Sequence, residues 1–294
     1  MRRIKLIVTG HLERRAMVES LRPFFPDKVE NEEVFWDKEP RMVNEVTTRP
    51  LPELAPGQAP DRAMQLLADA IVEEALTGKK KGQAPADLVI AVCDVELGNL
   101  GQEPIILSHL RGALERRLDR HELGARARHR ASLREKCSFH LLRPMVEAVF
   151  FGDPAALFRS GVSAVHPPLL RSLDVEDFES IDPNWLSECS EANERKRLDG
   201  VHWWEEARHP KRYLAHLIQR SGSKVYDELD QGVAALCGLH WPTVTNIQPS
   251  PFLRALFDDL ASWFGVPNPL GFGKPSPLTS LTPTSPPDRW LRNL

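Results

Sequence analysis

The chain has 294 residues and a formal net charge of −3, so it can bury a sizeable core but cannot attract nucleic acid through its overall charge. No stretch approaches the roughly 20 apolar residues of a membrane helix, and the run after Met1-Arg2-Arg3 is too short for a secretory leader, which excludes a membrane protein and gives a cytoplasmic reading. The four cysteines, Cys93, Cys137, Cys189 and Cys237, contain no C-x-x-C pair, so neither a zinc knuckle nor a disulfide framework is indicated.

Ile4-Lys5-Leu6-Ile7-Val8 reads as a short strand that leads through Thr9-Gly10 into a helix from His11 to about Phe25. Glu13, Met17, Leu21 and Phe24 share one stripe of that helix. Glu13 is then either a first-turn glutamate favoured by the helix dipole or a carboxylate held near the end of the strand. Val34-Phe35-Trp36 and Met42-Val43-Asn44-Glu45-Val46-Thr47 read as short strands around a Pro40 turn. A helix from Arg62 to Leu76 follows, with Asp61 as N-cap and Gly78 as stop.

The run from Asp87 to Val92 is β-branched and aliphatic, is bounded by Gly82-Gln83-Ala84-Pro85 and Gly98-Asn99, and ends at Asp94-Val95-Glu96. It has the pattern of a buried parallel strand. Its carboxyl end is where open α/β sheets bind ligands, and an alternate-residue acidic pair there supplies the oxygen ligands of a magnesium site. Acidic residues also follow strands in ordinary loops, and a lone D-x-E does not separate the two.

Between residues 111 and 136, nine Lys and Arg stand against four Asp and Glu. Ile106, Leu110, Ala113, Leu114 and Leu118 recur at helical spacing, which leaves a basic face whose Arg126, Arg128 and Arg130 suit contact with a phosphate backbone, or else form a solvated surface. Cys137-Ser138-Phe139-His140-Leu141-Leu142 reads as a further strand.

Near Arg143 the chain becomes helical and proline-punctuated, which places boundaries at 1–142, 143–265 and 266–294. Glu147 falls inside an apolar helix, Met145 to Phe151, where a carboxylate needs a partner or a metal unless it lies at the helix edge. Lys211 and Arg212 open another helix behind Pro210, a place for a phosphate or for surface charge. His202-Trp203-Trp204 and His140 read as packing. A last helix runs from Pro251 to Phe264, with Ser250 as N-cap and Gly265 as stop. The tail, with Pro267, Pro269, Pro275, Pro277, Pro283, Pro286 and Pro287, reads as extended or disordered. It ends in Asp288-Arg289-Trp290-Leu291, an anchor for a partner or for its own domain.

Asp94-Val95-Glu96, Glu147-Ala148-Val149-Phe150-Phe151-Gly152-Asp153, His209-Pro210-Lys211-Arg212-Tyr213-Leu214 and Tyr226-Asp227 occur in an order that resembles the Toprim-like family of unknown function DUF4276. Thr9-Gly10 stands where that family has Glu-Gly, so its first motif is degenerate. The resemblance implies a Toprim-like, Rossmannoid parallel sheet in the N-terminal half, followed by a mostly helical region. It also implies Mg2+ or Mn2+ at Asp94 and Glu96, catalysis completed by Glu13 or Glu147, and an ATPase partner in phage defence. The expected activity is that of a divalent-metal-dependent nuclease subunit acting on DNA or RNA. The alternative is a catalytically inactive sensor or interaction subunit.

Overall fold

In the computed structural model, residues 1–78, 84–198, 206–222, 225–244, 250–271 and 288–294 are described. His202-Trp203-Trp204, Gly82-Gln83 and the prolines from 275 to 287 lie outside these residues.

The fold is α/β, with a mixed, mostly parallel sheet flanked by helices. Its strands are β1 (Arg2–Val8), β2 (Lys28–Val29), β3 (Glu32–Trp36), β4 (Arg41–Met42), β5 (Leu88–Asp94) and β6 (Cys137–Leu142). The order is β2-β3-β1-β5-β6, with β4 also pairing with β1, and only β2 runs antiparallel to its neighbour. Strand periodicity divides the core. Leu88, Ile90 and Val92 enter one apolar layer with Ile4, Leu6 and Val8, whereas Val89, Ala91 and Cys93 enter the other with Ile7, Phe139 and Leu141.

The first layer is closed by α1 (His11–Leu21) and, from the second half of the chain, α5 (Pro154–Arg159), α6 (Pro183–Leu198), α7 (Pro210–Arg220), α8 (Val233–Cys237), α9 (Trp241–Val244) and α10 (Pro251–Phe264). The second is closed by α2 (Arg62–Leu76), α3 (Glu103–Leu118) and α4 (Leu123–Lys136). The change of composition near Arg143 therefore leaves the core continuous, because Leu214, Leu217 and Phe257 pack in the same layer as β1 and β5.

This arrangement creates a topological switch. From β1 the chain leaves through α1 on one face towards β3, and from β5 it leaves through α3 and α4 on the opposite face towards β6. The carboxyl ends of β1 and β5 are thus adjacent while their outgoing segments diverge, which opens a crevice between them.

Several expected elements differ in detail. Pro23 turns the end of the first helix into a 3₁₀ turn, Arg22–Phe24, and Met145–Phe151 is realised as a 3₁₀ helix, Val146–Gly152. Of the strand expected over Met42–Thr47 only the first residue stays paired in the sheet. The following loop is instead pinned by Asn99, whose Nδ2 donates to the carbonyls of Thr47 (2.8 Å) and Arg49 (3.1 Å) while its Oδ1 accepts from the Leu51 amide (2.8 Å). Ser250 does not cap α10. It is left-handed (φ 30°), and the amides of Phe252 and Leu253 donate to the carboxylate of Glu176 at 3.1 and 2.8 Å.

The expected disordered tail needs correction at its end. Residues 288–294 fold back onto β6, the edge strand: Leu291 and Leu294 are buried, the Arg292 amide donates to the carbonyl of Cys137 (2.7 Å), and Asn293 pairs with both the amide (3.1 Å) and the carbonyl (2.7 Å) of Phe139. Among the described residues no helix is long and apolar enough to cross a membrane.

Candidate functional site

The crevice between β1 and β5 holds a cavity of about 340 Å³ lined by Gly10, Glu13, Asp94, Glu96, Glu147, Lys211 and Glu228, among others. Four residues chosen from sequence, Glu13, Asp94, Glu96 and Glu147, thus meet in one place. Each arrives on a different support. Glu13 sits in the first turn of α1, Asp94 ends β5, Glu96 lies two residues beyond, and Glu147 follows β6.

Local backbone geometry holds them there. The Val146 amide donates to Asp94 Oδ1 (3.0 Å), and the Glu96 amide donates to the carbonyl of Pro144 (2.8 Å), which ties the two loops together. Glu96 itself has φ 63° and ψ 155°, a conformation essentially reserved for glycine and costing about 1–3 kcal/mol. Gly10 is required for a different reason: a Cβ at this position would overlap the carboxyl group of Glu13, which folds back over the turn after β1. Glu13 therefore brings its carboxylate to the Thr9-Gly10 turn, where the chain lacks a glutamate.

The electrostatics of the cavity follow from this crowding. Burial, then repulsion from Glu147, Glu228 and Glu96, pushes the Glu13 carboxyl up to about 8. Burial and then Glu147 push Glu96 up to about 7, although Lys211 opposes them. Asp94 is raised well above its ordinary range by burial and by Glu13, Glu96 and Glu147; Glu147 is raised mainly by burial. One oxygen of Glu13, Oε1, is buried without a hydrogen-bond partner, as is the hydroxyl of Tyr226. Carboxyls that burial and mutual repulsion drive towards their protonated forms are a set that a cation relieves.

Among the described residues no group of three or more His, Cys, Asp or Glu side chains is placed to hold a metal ion by itself. Magnesium does not require such a cage, since it commonly takes one or two carboxylates and completes its shell with water and substrate oxygens. Asp94 and Glu96, supported by the orphaned Glu13 oxygen, fit that mode of binding.

The other expected cations behave differently. Lys211 reaches the cavity, where its Nζ lies 3.6 Å from Glu147 Oε1 and pairs with Glu228. Arg212 turns away to the fully buried Glu206 (2.8 Å). Arg126, Arg128 and Arg130 lie on α4 and do not line the cavity. Arg126 pairs with Asp119 and Glu115, and Arg130 stacks over Trp290 at 4.3 Å, so two of the three are engaged within the chain. A separate groove of about 450 Å³, reached through Pro144, is lined by Arg143, Arg171 and Arg208 together with Glu176, Asp177 and Glu179.

Glu228 is the site residue that sequence reasoning missed. It opens a turn of π-helix, Glu228–Gly232, capped by Asp227, and in the sequence it is one acidic residue in an acidic turn. No protein-family model matches the chain, and neither does any curated protein or solved structure.

Proposed function

We propose that the chain is a Toprim-like, divalent-metal-dependent nuclease subunit that hydrolyses nucleic-acid phosphodiesters in the cytoplasm, with an ATPase partner in phage defence. The observation that carries this reading is the convergence of Glu13, Asp94, Glu96 and Glu147 on one cavity at the switch point between β1 and β5. Asp94 and Glu96 hold Mg2+ or Mn2+. Such an ion neutralises charge on the phosphoryl oxygens and lowers the pKa of the attacking water. Glu13, whose carboxyl retains its proton near neutral pH in the ion-free cavity, is placed to give or take a proton. Lys211 supplies positive charge at the rim.

Support for a nucleic-acid strand comes from the adjoining groove. Asp177 and Arg171 are more than half exposed, so their ion pairs are of the weak, exchangeable kind and their arginines are able to turn to phosphate. Arg128 on α4 adds a further exposed cation. Four free cysteines accord with a reducing compartment. Exposed apolar side chains on the helical half, Phe158, Val165, Leu173 and Val225, offer surface to a protein partner.

The second reading, a sensor or interaction subunit without catalysis, is favoured by one observation: Lys211 already compensates part of the acidic charge through Glu147 and Glu228. Asp94→Asn separates the two readings. Asparagine keeps an oxygen for the Val146 amide but loses a charged ligand, so metal-dependent cleavage of DNA or RNA by the chain with its ATPase should vanish while the fold persists. Absence of cleavage in the wild-type assembly with either metal, together with unchanged biological activity of Asp94→Asn, establishes the second reading instead.

A further inference from the structure

The carboxylates of the cavity fall into two pairs. Asp94 and Glu96 follow β5, whereas Glu147 and Glu228 come from the 3₁₀ helix after β6 and from the π-turn before α8. Glu13, almost fully buried and with Oε1 unpartnered, also lines the cavity. A five-carboxylate cavity of this kind has the donors for two cations.

One of those positions is already filled. The Lys211 side chain is anchored in the first turn of α7, behind Pro210, and its Nζ contacts both Glu147 Oε1 and Glu228 Oε2. These contacts are not a loose surface pair, because the Glu147 side chain is only 5% exposed and that of Glu228 26%. A divalent ion between Glu147 and Glu228 would meet the ammonium at contact distance, with a charge product twice that of two monovalent ions. Asp94 and Glu96 have no Lys or Arg ion pair among the described residues.

We infer that Lys211 occupies the second cation position of this centre, so that the chain takes a single divalent ion, at Asp94 and Glu96, and presents the Lys211 ammonium to the substrate phosphate where a two-metal enzyme presents its second metal. The inference rests on the metal-dependent reading above and gives it a stoichiometry. A fixed ammonium needs no loading from solution, and it stabilises charge on a phosphoryl oxygen without activating a water. The division of labour is therefore unequal: the ion at Asp94 and Glu96 serves the nucleophile, and Lys211 serves the phosphate. Two-metal phosphodiesterases instead hold their ions about 4 Å apart as a symmetric clamp.

Titration of the full chain with MnCl2, with free Mn2+ followed by electron paramagnetic resonance, reads the stoichiometry directly. One Mn2+ per chain is expected for the wild type and for Lys211→Arg, and two for Lys211→Met, whose methylene stem retains most of the packing without the charge. Two ions in the wild type overturn the inference and leave the metal-dependent reading standing; this arm needs no variant to fold. A single ion in a folded Lys211→Met chain also overturns it. No Mn2+ bound by the wild type at millimolar concentration removes the metal-dependent reading, and the inference with it.

Discussion

The carboxyl group of Glu13 lies so close over Gly10 that no side chain fits between them. A glutamate three residues into a helix thereby delivers its charge to the turn after β1. Gly10→Ala forces the carboxylate out of the cavity without removing it from the chain. Mn2+ affinity is expected to fall about tenfold or more, as for loss of a group that supports a metal ligand. Isothermal titration of the variant checks this, and wild-type affinity would show that Glu13 does not contribute.

The ion-free cavity makes stability depend on pH in an unusual direction. With Glu13 pushed up to about 8 and Glu96 to about 7, against 4.5 for an ordinary glutamate, the folded chain binds more protons than the unfolded chain between those limits. Stability therefore falls as the pH rises from about 4.5 to about 8, by an amount on the order of a few kcal/mol, and levels off above. Thermal unfolding in EDTA should show Tm decreasing across this window, and Mg2+ or Mn2+ should flatten the decrease. A Tm that rises from about pH 5 to about pH 8 in EDTA contradicts the prediction.

Glu96 holds a glycine-like backbone at a position where its side chain is needed. Glu96→Gly relieves the strain and Glu96→Ala does not, so the glycine variant should be more stable than the alanine variant by about 1 kcal/mol, although both lose the carboxylate. Urea unfolding of the two proteins decides the matter, with equal midpoints as the contrary result.

Far from the cavity, Asp259 on α10 joins the buried His140 on β6 (3.4 Å) to Arg292 (2.9 Å). Burial alone would raise the Asp259 carboxyl, but the hydrogen bond and charge of His140 and the charge of Arg292 hold it at about 2. Its contribution is present above the ordinary aspartate value of 3.8 and is lost as the pH falls towards 2. Arg292→Ala should cost roughly 2 kcal/mol at neutral pH, with a smaller difference in acid. Denaturant unfolding at the two pH values measures both.

The parts of the fold that were legible in the sequence are those whose determinants are local. Strands β5 and β6 announce themselves by continuous apolar runs, and α2 by Asp61, whose Oδ1 does accept from the Ala63 amide, and by Gly78 at φ 72°. Elements fixed by distant residues were not legible. The loop after Met42 owes its path to Asn99, and the start of α10 is capped by Glu176, more than 70 residues earlier. The same distinction holds in the site. Asp94 and Glu96 are flagged by their own strand, whereas Glu228 joins them only because the helical half folds over the sheet. The basic stretch misled for a related reason, since Asp119 and Trp290 take up charges that look free in the sequence.

Asn293 gives the sheet its final boundary. Its amide offers Phe139 one donor and one acceptor, the two bonds that a neighbouring strand would make, and Arg292 and Leu291 hold it in register. A β-edge with open amides and carbonyls is a template on which copies of a chain add to one another, and most folds discourage this with charge or proline along the edge. Here β6 is wholly buried and carries neither, so a single carboxamide near the chain's end stands between a monodisperse protein and edge-to-edge polymerisation.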